Sequence, residues 1–294
     1  MTAPSLAHTF SISLPASAAR IFQALTGSAE LQRWFANHVA VDLQGGVYRF
    51  HGSAVLGTPS EGAQELLGFE SGRSLRYRWP IHGVETEVGY GLEPDSSDEQ
   101  KSRLHISHDV HGQLPFASPR YAIDDLWRLI TGNLMAHVMG DANVALPDFT
   151  RDTAQVVVSI EIAATPAKVF RTLLDPVLMS RWLGSVARVD LETRAYSYGM
   201  SYEIEGKTVQ GGPTRILELV PDEKLVTDWP DWRGDLDKPK THVTWALSPL
   251  PPDGRRTLLT LTHAGFAHPV ERSDYQQGWA FFLGMVRGVA QAAE

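Results

Sequence analysis

Cysteine is absent, which removes disulfides, thiolate metal sites and cysteine nucleophiles and is ordinary for a reducing compartment. Charge is scarce as well. Only 20% of the 294 residues are charged, and Lys and Arg total 26 against 34 Asp and Glu. The net charge of −8 divides into −6 before and −2 after residue 150, so neither half has the basic excess of a binder of nucleic acid or anionic lipid. No uncharged apolar run reaches the ~20 residues of a membrane span, and Met1 to Phe10 carries neither a basic leader nor an apolar secretion core. A cytoplasmic protein with no membrane and no nucleic-acid partner is expected. Catalytic signatures are missing too. No Gly-x-Ser-x-Gly elbow occurs, and Gly45-Gly46 and Gly211-Gly212-Pro213 read as turns, since neither precedes a helix opening with Lys-Ser/Thr.

What is present is enough apolar sequence, 43%, to bury a core in each of two domains. The chain repeats itself. Ala18-Ala19-Arg20-Ile21-Phe22 aligns with Pro166-Ala167-Lys168-Val169-Phe170, and Leu31-Gln32-Arg33-Trp34-Phe35 with Met179-Ser180-Arg181-Trp182-Leu183. Val41-Asp42-Leu43 aligns with Val189-Asp190-Leu191, all at one offset of 148 residues. Small insertions then shift the register: Trp79-Pro80 meets Trp229-Pro230, Leu104 to His108 meets Leu259 to His263, and Trp127 meets Trp279. A period this long excludes a solenoid and implies one domain used twice. The expected division is 1–149 and 150–294, with a short junction in Ala145 to Asp152.

Both copies give the same order of elements. Alternating segments His8 to Leu14 and Gln155 to Ile162 have strand period. Ser17 and Thr165 follow as N-caps, the second with Pro166 at the first helical position, ahead of helices Ala18–Leu25 and Pro166–Leu174. A second short helix runs from Ser28 or Asp175-Pro176 to near Trp34 or Trp182, and Gly, Asp and Pro then punctuate about six short strands in each copy. The last element is a long helix. Pro119 opens it in copy one, with Ile123, Leu126, Trp127, Ile130, Leu134 and Val138 on one face; in copy two Ser273 and Gln276 form a capping-box pattern before Trp279, Phe282, Leu283 and Val286. The expected class is α+β: two tandem helix-grip domains, each a curved antiparallel sheet wrapped around a long C-terminal helix, with two short helices after the first strand.

Thr260 to Phe266, Gly278-Trp279 with Leu283 and Val286, Pro166 to Phe170 and Arg181-Trp182 together resemble the domain shared by homologues of the heat-shock-protein-90 ATPase activator. That family belongs to the SRPBCC superfamily of START, Bet v 1-like and polyketide-cyclase-like proteins. The resemblance covers nearly all of 153–294. Copy one departs from it, with Asp109-Val110-His111-Gly112 after His108 and Leu126-Trp127 in place of Gly-Trp, and reads as the diverged copy. The resemblance implies a cavity between sheet and closing helix. It permits ligand binding, cyclase or dehydratase chemistry without metal, or a co-chaperone role toward a heat-shock chaperone.

Strand parity turns Trp79, Val84, Thr86, Val88, Tyr90 and His108 of copy one inward, with Trp229, Val243, Trp245, Leu247 and His263 of copy two, and turns Arg76, Arg78 and Asp228 outward. Candidate pocket residues are therefore Trp182, Tyr198, Tyr202, Trp229, Trp245, His263, Trp279 and Phe282, and in copy one Trp34, Trp79, Tyr90, His108 and Trp127. Trp245 is taken as an addition where copy one has Val88. The competing reading is plain core, which uses the same residues at the same spacings. His108 or His263 could act as a base with Tyr198 or Tyr202 as hydrogen donor, but no carboxylate or nucleophile accompanies either at a recognisable spacing. His105, His108 and His111 alternate faces on one strand, so no metal site is expected, and no cofactor. The leading expectation is a carrier of a small hydrophobic or aromatic molecule, with a cyclase-like enzyme and then a co-chaperone as alternatives.

Overall fold

A computed structural model describes residues 5–292 apart from 59, 61–63, 117–118, 141–143, 145, 152–154, 205, 232–233, 235–237 and 267–272. The contacts form two compact units, one of Met1–Thr153 with His268–Gln277 and one of Ala154–Ala267 with Gly278–Glu294.

In the first unit the chain runs β1 (Ser5–Leu14), α1 (Ala18–Thr26), α2 (Ser28–Trp34), six strands and a long helix. The strands are β2 (His38–Asp42), β3 (Val47–His51), β4 (Glu65–Glu70), β5 (Ser74–Arg78), β6 (Thr86–Asp95) and β7 (Asp98–His111), and the helix is α3 (Pro119–Val138). An antiparallel sheet of order β1-β7-β6-β5-β4 forms the main layer, and β2 and β3 pair separately. The second unit repeats this with β8 (Gln155–Ile162), α4 (Pro166–Leu174), α5 (Pro176–Leu183) and α6 (Ser273–Gln291). Between α5 and α6 lie β9 (Arg188–Asp190), β10 (Ala195–Ser197), β11 (Met200–Ile204), β12 (Lys207–Gly211), β13 (Ile216–Val220), β14 (Lys224–Trp229), β15 (Thr241–Leu250) and β16 (Arg256–Ala264). Its main sheet, β8-β16-β15-β14-β13, has the same antiparallel order. Even the bulge is repeated, between Leu66 and Gly68 in β4 and between Ile216 and Glu218 in β13.

One expectation needs correcting here. Among the described residues six strands follow the short helices in the first unit and eight in the second. Where the first chain turns at Gly52 to Gly57, the second inserts the β11–β12 hairpin, since Tyr202 and Val209 give that stretch strand character.

The local starts follow from capping chemistry. Ser17 Oγ accepts from Arg20 N–H at 3.3 Å and Thr165 Oγ1 from Lys168 N–H at 3.4 Å, meeting donors that α1 and α4 cannot satisfy internally. Asp175 caps α5 through Val177 N–H at 2.9 Å, and Gly184, at φ 69°, ends it in the left-handed region. The side chains of Ser273 and Gln276, read as a capping box, lie outside the described residues, as do junction residues Ala145 and Asp152.

Two buried hydrogen bonds hold each short helical pair to its own unit. Trp34 Nε1 donates to the Ala24 carbonyl at 3.2 Å and Tyr48 Oη to the Leu25 carbonyl at 2.9 Å. The counterparts are Trp182 to Thr172 at 3.0 Å and Tyr196 to Leu173 at 2.7 Å. The apolar face of α3 reaches the sheet through Ile123, Leu126, Trp127, Ile130 and Leu134, all buried, and α6 does so through Trp279, Leu283 and Val286. No helix among the described residues is long and apolar enough to cross a membrane.

Candidate functional site

The inward rows of both sheets converge on the tryptophan of the closing helix. In the first unit Trp127 Nε1 donates to His108 Nδ1 at 3.0 Å, and in the second Trp279 Nε1 donates to His263 Nδ1 at 3.0 Å. An imidazole that accepts at Nδ1 carries its proton on Nε2, so the indole fixes the tautomer. Both rings are fully buried. Desolvation, with a smaller effect of His8 on His108 and of His242 on His263, lowers each pKa to about 3.

The second unit completes the relay. His263 Nε2 donates to Thr241 Oγ1 at 2.7 Å, and that hydroxyl donates to the Trp229 carbonyl at 3.1 Å. The equivalent Thr86 also serves the carbonyl of Trp79, but His108 Nε2 has no hydrogen-bond partner among the described residues. With its lone pair facing an indole N–H and its other nitrogen protonated, neither histidine is placed to remove a proton at neutral pH. The acid–base reading of His108 and His263 thus gives way to a structural one. Nor do the described residues contain a group of His, Asp or Glu able to hold a metal ion: His108 points inward while His105 lies outside near Glu93.

Around these relays the candidate rings form two clusters. In the first unit Trp79 stacks on His108 with centroids 6.0 Å apart, and Tyr90 meets Trp127 at 5.9 Å. Trp34 packs on Phe35, which meets Trp79 at 6.1 Å. These five candidates fill the interior. The void they leave, lined by Trp34, Trp79, Leu126, Ile130 and Asn133 among others, is about 10 Å³, room for no more than one water. The larger groove of this unit, about 510 Å³, lies on the solvent face of the sheet over Ser11, Arg76, Gly89, Gly91 and His105. It is open and does not enclose a ligand.

In the second unit Trp182 touches Tyr198 at 5.5 Å, Phe282 at 6.0 Å and Trp245 at 6.3 Å; Trp279 touches Trp229 at 4.8 Å and Trp245 at 5.8 Å. Seven of the eight candidates of this copy lie in one aromatic basket. Tyr202 does not. It sits on the surface hairpin, 42% exposed, its ring lying over Gly211, because β11 pairs with β12 and not with the main sheet. A second correction concerns Trp245. Val88 pairs with His108 and Val243 with His263, so Val88 corresponds to Val243, and Trp245 takes the place of Tyr90.

The same register exposes one difference that the aromatic pattern hid and adds it to the Leu126-for-Gly difference already legible in the sequence. Tyr77 of β5, fully buried, becomes Thr227 of β14, and Leu126 of α3 becomes Gly278 of α6. In the first unit Tyr77 Oη bonds to Tyr90 Oη at 3.0 Å. In the second, Thr227 Oγ1 and Trp245 Nε1 are buried without a hydrogen-bond partner among the described residues. A Cβ placed on Gly278 would meet nothing within 4 Å among the described residues. The signal lay in the aligned pairs Leu75-Arg76-Tyr77 with Leu225-Val226-Thr227 and Leu126-Trp127 with Gly278-Trp279, both of them losses of bulk in the second copy.

Charge stays outside the basket. Burial opposes ionisation of Asp228, but Thr214 Oγ1–H, Lys240 Nζ and the N–H groups of Thr214 and Arg215 outweigh it and hold the carboxyl below its ordinary value. Arg76 and Arg78 pair with Glu87 and Glu65 at the surface.

No curated protein matches the sequence. Among solved structures, DynU16, a protein of the dynemicin biosynthetic locus, is 16% identical over 97% of this chain and 99% of its own, with a TM-score of 0.41. The di-domain ARO/CYC protein BexL of the BE-7585A biosynthetic pathway is 13% identical over 98% of this chain and all of its own, with a TM-score of 0.35. An HSP90 activator of Plasmodium falciparum, PFC0360w, is 21% identical over 38% of this chain and 74% of its own, with a TM-score of 0.30. Residues 163–287 match the family of Activator of Hsp90 ATPase homolog 1-like protein, which spans the second unit from the end of β8 to near the end of α6. Over residues 163–287 the second unit is thus similar to the Activator of Hsp90 ATPase homolog 1-like family.

Proposed function

We propose that this protein binds and carries a small hydrophobic aromatic molecule in its second domain, while the first domain is a filled, structural copy. One observation carries the reading: Thr227 and Gly278 stand where Tyr77 and Leu126 fill the first interior, which removes a ring and a branched side chain from the space between sheet and closing helix. The walls would be Trp182, Tyr198, Trp229, Trp245, Trp279 and Phe282, an aromatic lining with few polar atoms of the kind that takes small apolar ligands. His263 would hold Trp279 in place rather than react.

Titration of the full chain with a panel of aromatic compounds, followed by tryptophan emission, tests this. Quenching that saturates is expected, and Thr227→Tyr should abolish it by restoring the missing ring while Tyr77→Phe leaves it intact. No saturable change with any compound at high micromolar concentration, or binding that survives Thr227→Tyr unchanged, would overturn the reading.

A further inference from the structure

Thr227 and Trp245 lie on adjacent strands of the second sheet at diagonal positions of one inward face, since Leu225 pairs with Trp245 and Thr227 with Val243. Tyr77 and Tyr90 occupy the same two positions in the first sheet, where Leu75 pairs with Tyr90 and Tyr77 with Val88. There the two phenols close on each other at 3.0 Å. In the second domain a threonine is too short to reach across, and an indole offers only a donor. Both groups are fully buried, and neither has a hydrogen-bond partner among the described residues. Leaving a buried donor and a buried hydroxyl unmet is costly, so the pair calls for an oxygen supplied from outside the chain.

We propose that the second domain recognises a neutral phenol-bearing ligand, whose ring takes the volume that Tyr77 fills in the first domain and whose hydroxyl bridges Trp245 Nε1 and Thr227 Oγ1. The inference rests on the reading of this domain as a binding site and specifies what that site selects. A single phenolic oxygen satisfies both groups: its lone pair accepts from the indole N–H, and its own proton goes to the threonine oxygen. Neutrality follows from the surroundings. No charged side chain lines the basket among the described candidates, Asp228 is engaged on the other face, and His263 is an uncharged imidazole already bonded at both nitrogens. A carboxylate there would be desolvated with no cation to meet it.

The ligand is thus a chemical stand-in for a missing tyrosine, which makes the probes plain: p-cresol, the tyrosine side chain itself; toluene, the same ring without the oxygen; and p-toluate, which is anionic at neutral pH. Calorimetric titration of the full chain should give p-cresol an affinity about tenfold above toluene, with no detectable binding of p-toluate. Thr227→Val, which keeps shape and removes the hydroxyl, and Trp245→Phe, which keeps a ring and removes the N–H, should each bring the affinity ratio of p-cresol to toluene down toward one. In the first domain Tyr77→Thr should create a comparable site, its lost melting temperature being partly restored by p-cresol and less by toluene. Equal binding of p-cresol and toluene, or a preference that survives both substitutions, would sink the phenol assignment while leaving the binding site standing. Binding of p-toluate equal to that of p-cresol would overturn the neutrality. Failure of all three probes together with the whole aromatic panel would remove the binding reading itself.

Discussion

The two domains share a sheet order, a bulge, a pair of indole and phenol anchors under the short helices, and a tryptophan-to-histidine bond from closing helix to sheet, yet they differ in how the space between is used. The first closes Tyr77 on Tyr90 and sets Leu126 with Trp34 and Trp79 around a void of about 10 Å³. The second keeps the framework and removes two pieces of filling, and the polar atoms those pieces would have met remain bare of protein partners among the described residues.

The strongest way to break this comparison is Trp127→Ala in the first domain. If the interior is filled, loss of the ring should cost about 3–5 kcal/mol, seen as loss or a large downward shift of that domain's transition in calorimetry. A small shift would mean the first domain also has slack. Acid should strike both domains alike. His108 and His263 have folded pKa values near 3, against about 6.5 in an unfolded chain. Between those values the unfolded state binds more protons, so the histidines' contribution is fully present above about pH 6.5 and is lost as pH falls toward 3. The slope reaches about 1.4 kcal/mol per pH unit for each histidine. Urea titrations at pH 7, 5 and 4 check this, and stability that stays flat across the window would show the rings are charged or exposed.

A milder change should make the second domain resemble the first. Thr227→Tyr combined with Gly278→Leu is expected to raise its stability by about 0.5–2 kcal/mol, as cavity filling does; destabilisation would show an interior already full. The smallest effect distinguishes the polar pairs. Tyr77→Phe should cost about 0.5–1.5 kcal/mol by deleting a buried hydrogen bond, whereas Thr227→Val should cost nothing measurable because no protein partner is lost. Equal costs would erase the distinction between a closed pair and an open one.

Much of the fold was legible from local chemistry. Ser17, Thr165 and Asp175 are caps whose side chains act within three residues, and Gln155 to Ile162 and Pro166 to Leu174 begin and end where periodicity and capping place them. The inward rows of Trp79, His108, Trp229 and His263 were equally readable, since parity on a strand is a two-residue property. Equivalence across the insertions was not. The matching of Trp245 to Tyr90 depends on which residues face each other across β14, β15 and β16, and the outward turn of Tyr202 depends on a hairpin with no counterpart in the first domain.

Sequence by itself determined the duplication, the order of elements and the aromatic character of both interiors, because each is written in spacing along the chain. Only the tertiary structure decided how the buried polar groups of those interiors are met. That outcome depends on whether side chains from different strands meet, as Tyr77 meets Tyr90, or fall short, as Thr227 and Trp245 do, and a distance across a sheet has no signature in one dimension. The histidines make the same point. Their place in the row is periodic, but their tautomer was set by an indole from each unit's closing helix, 19 residues along the chain for His108 and 16 for His263, and their neutrality by burial.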